Sequence, residues 1–356
     1  MGFLYGTGGR IGQKDTGGIV RILVLGAGGF IGSNLVEHLV ARGEHEILGV
    51  DLSDEKLQRI SGSNFEFIKA DVTKSEDLLD SLISETDLVA DLIAYANPSI
   101  YIESPLDVIE LNFIENVKTV KLCVKHGKRL FQYSTSEVYG KPSGDSYIED
   151  ETDLVVGPVN RQRWVYAASK QLLERVVHAY GLSGDLEYTV VRPFNFVGPR
   201  FDYLVPAGTM GGPRAFSHFM SALLTGGPIY LVDGGEQRRS FVHIDDASEA
   251  VSILLEHPAA LNDVFNIGNP GNDVSIKDLV GLMMRLYGEM TGEEPQNEVI
   301  EVSGEEFYGA GYEDSNRVIP DISKLQGLGW APTHDLESTF RATMDSYLGA
   351  TIDAGS

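Results

Sequence analysis

The strongest constraint in this sequence lies between Ile19 and Asp51. IVRILVL (19–25) is continuous and β-branched, the composition of a central parallel strand buried on both faces. GAGGFIG (26–32) follows at once, then SNLVEHLVARG, in which Leu35, Val36, Leu39 and Val40 recur at helical spacing. A second strand, EILGVD, closes on Asp51. Strand, glycine turn, helix, strand and acid in this order form a dinucleotide-binding fingerprint. Gly26 permits the tight turn, Gly29 lets backbone approach a pyrophosphate, and Gly32 lets the helix pack on the strand, with Phe30 and Ile31 in the same loop. The helix N-terminus supplies N–H groups and a positive dipole end to phosphates. Asp51 is placed to accept hydrogen bonds from adenosine ribose hydroxyls, and a carboxylate there favours NAD over NADP, whose 2′-phosphate it repels.

The alternation continues. FEFIKADV, DLVADLIAYA, RLFQYSTSEVYG and EYTVVRPFNFVG read as further strands, separated by helical stretches at 75–84, 105–127 and 164–181. This predicts an α/β fold, a Rossmann-type doubly wound parallel sheet with a smaller α/β C-terminal substrate-binding lobe. The expected divisions are an N-terminal extension (1–18), an NAD-binding domain (19–198) whose sheet takes up later segments near 240–268, and a mainly substrate-binding lobe (199–350), with Gly/Pro-rich loops and a helix near 275–290. The chain carries 28 Lys and Arg against 52 Asp and Glu, a formal net charge of −24, which argues against nucleic acid or an anionic membrane as partner. No apolar run approaches the length of a membrane span, and residues 1–18 lack the apolar core of a signal peptide. The single cysteine, Cys123, falls on an apolar-periodic stretch and reads as a buried helix thiol, so the expected location is cytoplasmic. His and carboxylate residues show no compact metal-ligand spacing, no metal is expected, and His243 reads as a core histidine.

Two segments carry chemistry. Ser134-Thr135-Ser136-Glu137 places hydroxyls and a carboxylate at a strand's carboxyl end. Tyr166-Ala-Ala-Ser-Lys170 opens a helix, and i, i+4 spacing puts the phenol and the ammonium on one face. A tyrosine acting as base near neutral pH needs a cation beside it, and Lys170 with a nicotinamide ring supplies that charge. The Thr135 hydroxyl is suited to bridge to the sugar oxygen being deprotonated.

With these motifs the chain resembles the extended short-chain dehydrogenase/reductases (the NAD-dependent epimerase/dehydratase family) that act on nucleotide sugars, over about residues 20 to 345. GAGGFIG, STSEVYG, YAASK, RPFNFVGPR, LVDGGEQRRSFVHIDD and NIGNP fall in that family's order. IELNFIENVKTVKLCVKHGKR, GPVNRQRWVYAASKQLLERV and EEFYGAGYED are most similar to UDP-glucuronate decarboxylases of the bacterial aminoarabinose (polymyxin-resistance) type and to plant UDP-apiose/UDP-xylose synthases. The resemblance implies an NAD-dependent UDP-glucuronate decarboxylase. Tyr166 removes the C4 hydroxyl proton as hydride passes to NAD, CO2 leaves the 4-keto-uronate, and UDP-4-keto-pentose or UDP-xylose results. It implies Glu137 as acid/base and substrate contacts at Ala96, Tyr101, Thr135, Ser136, Arg163, Asn195, Arg200, Arg214, Tyr230, Arg239 and Tyr312. Asp51, Asp71, Val72, Ala94 and Pro193, with Tyr166 and Lys170, fall on the cofactor side. It also implies a homodimer through a four-helix interface built on the helices near 105–125 and 165–180.

The chain departs from these relatives in two places. The apiose synthases carry cysteines at the positions of Ala96 and Ser136, which counts against thiol-assisted ring contraction here. The decarboxylases carry an arginine at the position of Val318, where this chain has Arg317 one residue early. Arg317 is taken as the catalytic acid or carboxylate partner, the other reading being a diphosphate contact. A UDP-sugar 4-epimerase or dehydratase shares the same first oxidation, a UDP-apiose/UDP-xylose synthase is the second alternative, and a non-catalytic NAD-binding or regulatory relative is the third. Six motif-bearing arginines (163, 192, 200, 214, 239 and 317) are expected to converge on one cleft, a local positive well for a diphosphate and a carboxylate.

Overall fold

The computed structural model describes residues 18–353 except 145, 202, 207, 212, 213, 311 and 314–316, so the N-terminal extension lies almost wholly outside the described residues. Fourteen strands are present among the described residues. They are β1 (Arg21–Leu25), β2 (Glu46–Asp51), β3 (Phe65–Lys69), β4 (Leu88–Asp91), β5 (Arg129–Tyr133), β6 (Tyr188–Pro193), β7 (Phe196–Val197), β8 (Ile229–Val232), β9 (Arg238–Ser240), β10 (Val242–His243), β11 (Asp263–Ile267), β12 (Asp273–Ser275), β13 (Val299–Val302) and β14 (Arg317–Val318). Seven form one parallel sheet in the order β3-β2-β1-β4-β5-β6-β11. The order reverses between β1 and β4, the crevice where ligands bind in doubly wound sheets.

Helices cover both faces. α1 (Phe30–Arg42) lies in one apolar layer, and α2 (Glu76–Ser84) in the other. Two short helices, α3 (Pro98–Glu103) and α4 (Pro105–Ile109), lead through a π-helical turn (Glu110–Glu115) into α5 (Asn116–His126). The long α6 (Val165–Ser183) packs beside α5 on the α2 side. The stretch expected as one helix over 105–127 is thus interrupted, because Asn112 and Asn116 turn their amides inward to backbone around Ile93 and Tyr95. Cys123 is fully buried in α5.

After β6 come α7 (Ala215–Thr225), α8 (Ile244–Glu256) and α9 (Ile276–Thr291), then the short α10 (Gly304–Tyr308), α11 (Ser323–Gln326) and the final α12 (Leu336–Asp353). α8 packs on α1 and leads back to β11 at the sheet edge, whereas the small ladders β8–β13 and β12–β9–β14 with α7, α9 and α10 form the second lobe. Among the described residues no helix is long and apolar enough to cross a membrane.

Arg192 was expected in the cleft and is instead structural. Its guanidinium, about 4% exposed, grips Glu174 of α6 through Nη2 at 2.7 Å and Nε at 3.1 Å, and donates to Tyr139 Oη and the Glu149 carbonyl. Facing inward from β6 it meets a carboxylate already buried in α6, so the pair satisfies both charges away from water. Removing one partner strands the other. Glu174→Ala is expected to destabilise the fold by about 3–5 kcal/mol, measured as a lowered urea-unfolding midpoint.

Candidate active site

The glycine turn carries its geometry in the backbone. Gly26 has φ +83°, and a Cβ on Gly32 would lie 2.1 Å from the Gly26 carbonyl, so neither position accepts a side chain without strain. A Cβ on Gly29 would meet nothing closer than 3.4 Å, since that residue faces open space instead of packed chain. The reading of the sequence passed over Gly28. Its N–H donates to Asp51 Oδ2 at 2.9 Å, and a Cβ there would meet the Ser53 carbonyl at 2.0 Å. Asp51 therefore ties the loop to the end of β2 as well as lying beside it. These features fit a dinucleotide: an N-terminal helix turn with a bare backbone face, in a site roofed by the second lobe.

A cleft of about 410 Å³ opens over the sheet's carboxyl edge. Of the expected cofactor residues, Gly26, Gly29, Phe30, Ile31, Gly32, Ala94, Pro193, Tyr166 and Lys170 line it. So do Ala96, Tyr101, Thr135, Ser136, Glu137, Arg163, Asn195, Arg214, Tyr230, Arg239 and Tyr312. Asp51, Asp71 and Val72 stand outside its walls. Asp71 caps the turn after β3, accepting from Thr73 Oγ1 at 2.6 Å and Lys74 at 2.9 Å, and Thr73 chiefly holds its carboxyl below the usual range.

Around Tyr166 the side chains are nearly dry. Burial pushes its phenol up to about 12, although the Thr135 hydroxyl bonds to it. Burial draws Lys170 down to about 8, and its Nζ reaches the Tyr133 carbonyl at 3.1 Å and Asn116 Oδ1 at 3.4 Å. Tyr101 stacks on Tyr166 at 4.9 Å with planes 14° apart. Thr135 starts the turn after β5 by accepting the Glu137 N–H, which aims Glu137 at Arg163; the guanidinium Nη2 lies 2.8 Å from Oε1 and 2.7 Å from Oε2. At the lobe side, Arg214 lies over the Phe201 ring, and Tyr230, Phe307, Tyr308 and Tyr312 form an aromatic wall in which Tyr308 and Tyr312 stack at 4.2 Å. Asn195 takes a left-handed φ of +43° and donates to the Ser240 carbonyl.

Two expected site arginines, Arg200 for the substrate and Arg317 for the chemistry, are elsewhere. Arg200 turns onto α1, where Asn34 Oδ1 and Glu37 Oε2 accept its guanidinium. Arg317 lies on β14 in register with Arg238, and both reach the Asp273 carboxylate, Arg317 at 3.2 Å and Arg238 at 2.8 Å. Arg239, the next residue of β9, lines the cleft. Successive strand residues face opposite sides, so a displacement of one residue puts Arg317 on the face away from Arg239. Of the six arginines expected to converge, Arg163, Arg214 and Arg239 line the cleft.

Sequence reasoning also missed His218, Phe216, Phe307 and Tyr308 on the cleft wall and Asn116 beneath Lys170. The asparagines four residues apart in LNFIEN (111–116), on one helix face, were the available signal. Outside the site, the fold gathers His243, Asp245 and His334. The buried His243 caps α8 through the Asp245 N–H, its ring stacks on His334 at 4.1 Å, and His334 Nδ1 lies 3.0 Å from Asp246. Ring lone pairs lie in the ring plane, so a stack directs them side by side; we read the group as a packing and capping device.

With this geometry in view, the comparisons agree. The sequence profile of the NAD dependent epimerase/dehydratase family matches residues 22–268. A UDP-D-apiose/UDP-D-xylose synthase of Oryza sativa subsp. japonica is 39% identical over 352 residues, covering 91% of this chain and 88% of that protein. UDP-D-apiose/UDP-D-xylose synthase 1 of Arabidopsis thaliana is 38% identical, with 91% and 90% covered. The crystal structure of the PbgP3 protein from Burkholderia pseudomallei superposes with a TM-score of 0.84 at 33% identity, covering 94% of this chain and 98% of that one. A UDP-glucuronic acid 4-epimerase from Bacillus cereus, solved with UDP-glucuronic acid and NAD, shares the fold with a TM-score of 0.77 at 24% identity, covering 93% and 99%. The chain belongs to the NAD-dependent epimerase/dehydratase family of extended short-chain dehydrogenase/reductases, and its cofactor is NAD.

Proposed function

We propose that the protein is a UDP-glucuronate decarboxylase that yields UDP-4-keto-pentose, UDP-xylose or both. The observation that carries this reading is the Glu137–Arg163 pair, its turn begun by Thr135, on the wall of the same cleft as the buried Tyr166 phenol and stacked Tyr101. Support comes from the synthases named for UDP-xylose at 38–39% identity. When bound, NAD supplies the hydride acceptor for C4. Tyr166 takes the C4 hydroxyl proton, Lys170 stabilises the phenolate, and Thr135 hydrogen bonds to the same oxygen. The 4-ketone so formed is β to the C6 carboxylate, which lets CO2 leave with its electrons in an enolate. Glu137, aligned by Arg163, delivers or relays the proton to C5. Arg214 and Arg239 are suited to the diphosphate, and the aromatic wall of Tyr230, Phe307 and Tyr312 to the nucleotide base. Ala96 and Ser136 offer no thiol, which favours decarboxylation over ring contraction. Arg317, facing Asp273, has no part in the chemistry proposed here.

With UDP-glucuronate as sole substrate and NAD present, mass spectrometry is expected to show a nucleotide pentose lighter by one CO2. Tyr166→Phe is expected to bind the nucleotide sugar while losing roughly 10²–10⁴-fold in turnover. An intact hexuronate, or one only epimerised, contradicts the reading.

The same reading includes a homodimer. α4, the π turn and α6 present Leu106, Ile109, Ile114 and Leu172 to solvent, with Leu106 78% and Leu172 49% exposed. Apolar side chains gathered on adjacent helices are what an isologous helix–helix interface buries. Sedimentation is expected to give a dimer, and the double variant Leu106→Glu/Leu172→Glu a monomer.

A further inference from the structure

Lys170 must remain an ammonium to serve Tyr166, yet its two hydrogen-bond acceptors, the Tyr133 carbonyl and Asn116 Oδ1, are both neutral. A buried ammonium facing only neutral oxygens is disfavoured. Two carboxylates act on it, Asp91 and Glu174. Glu174 is engaged by Arg192 at 2.7 Å, which offsets its charge. That leaves Asp91, a residue to which neither the sequence motifs nor the proposed chemistry gives a role.

Asp91 ends β4 at the carboxyl edge of the sheet and is 1% exposed. Its Oδ1 accepts the Ile93 N–H at 3.1 Å; among the described residues no donor reaches Oδ2. Gln132 Nε2 lies 3.3 Å from both the Asp91 carbonyl and Asn116 Oδ1, and Asn116 Oδ1 is the acceptor for Lys170. The Gln132 contact ends on the Asp91 main chain, and Asp91 and Asn116 also line one small cavity, so Asp91, Gln132, Asn116 and Lys170 form one buried cluster drawn from β4, β5, α5 and α6. A cavity of about 10 Å³, lined by Asp91, Asn116 and Thr119 among others, has room for a single water. An asparagine would fill the same volume without the cost of a buried carboxylate, so the negative charge itself calls for an explanation.

We propose that Asp91 is a positioning residue of this active site, the counter-ion that holds Lys170 as an ammonium from one buried layer behind the catalytic pair. The proposal rests on the roles given above to Tyr166 and Lys170. Burial raises Asp91 to about 6 and lowers Lys170 to about 8, each opposed by the charge of the other. Between those values the carboxylate is ionised and the lysine protonated. Above about 8 the ammonium is lost, and without the carboxylate it is lost at lower pH. The other titratable groups around Asp91 are Glu115, paired with Lys118, and the buried thiol of Cys123. Lys170 is the cation whose charge acts on Asp91.

The test follows Lys170 directly, by NMR of the NAD-loaded full chain labelled at lysine Cε, with the resonance assigned through Lys170→Met. In Asp91→Asn the Lys170 midpoint is expected to fall by about one pH unit, a roughly tenfold change in its protonation equilibrium. The alkaline limb of the kcat profile is expected to move with it while KM holds. An unchanged Lys170 midpoint in a variant that still binds NAD overturns the proposal. If the variant does not fold, aspartate Cγ labelling of the wild-type protein decides: a carboxyl titrating near 6, with a matching step at Lys170, supports the proposal. A carboxyl titrating in the ordinary range with no step at Lys170 overturns it. Failure of the wild-type protein to turn over UDP-glucuronate removes the proposed function, and the lysine titration still decides the role of Asp91.

Discussion

In the chemistry proposed for this site Lys170 carries a positive charge while only 1% exposed, and the groups around it bear on that requirement. An ammonium in such a place is costly unless fixed dipoles and a counter-charge surround it. The Tyr133 carbonyl at the end of β5, the inward amide of Asn116 and the carboxylate of Asp91 come from three elements that only a parallel sheet with crossover helices brings together. The π turn before α5 belongs to the same arrangement, because it lets Asn112 and Asn116 both face the loop after β4.

The second lobe answers a different need. A chain of net charge −24 must still hold an anionic ligand, and it does so with few cations placed well. Arg163, Arg214 and Arg239 line the cleft, Arg163 against Glu137. Arg192, Arg200, Arg238 and Arg317 are matched to carboxylates outside the cleft.

What could be read from the sequence was whatever depends on neighbours in the chain. The glycine turn, the Tyr166–Lys170 spacing and the strand-end Thr135 and Glu137 are local patterns, and the fold places all of them at one sheet edge. Arg317 was misplaced because its face depends on its register with β9, nearly eighty residues earlier, and a shift of one residue reverses it. Arg192 was misplaced for a similar reason: its partner on α6 is set by how a helix packs on the sheet. Gly28, whose neighbours Asp51 and Ser53 meet it only after β2 pairs with β1, escaped notice on the same ground.

The central claim is that Tyr166 and Lys170 open the reaction by oxidising C4 of the bound sugar. UDP-glucuronate deuterated at C4 tests it most directly. The account predicts that the label leaves C4 during turnover and is found on the reduced cofactor, that C4 oxidation slows relative to the unlabelled sugar, and that Tyr166→Phe shows no transfer. Release of CO2 with the deuterium retained at C4 throughout and no isotope effect would contradict it.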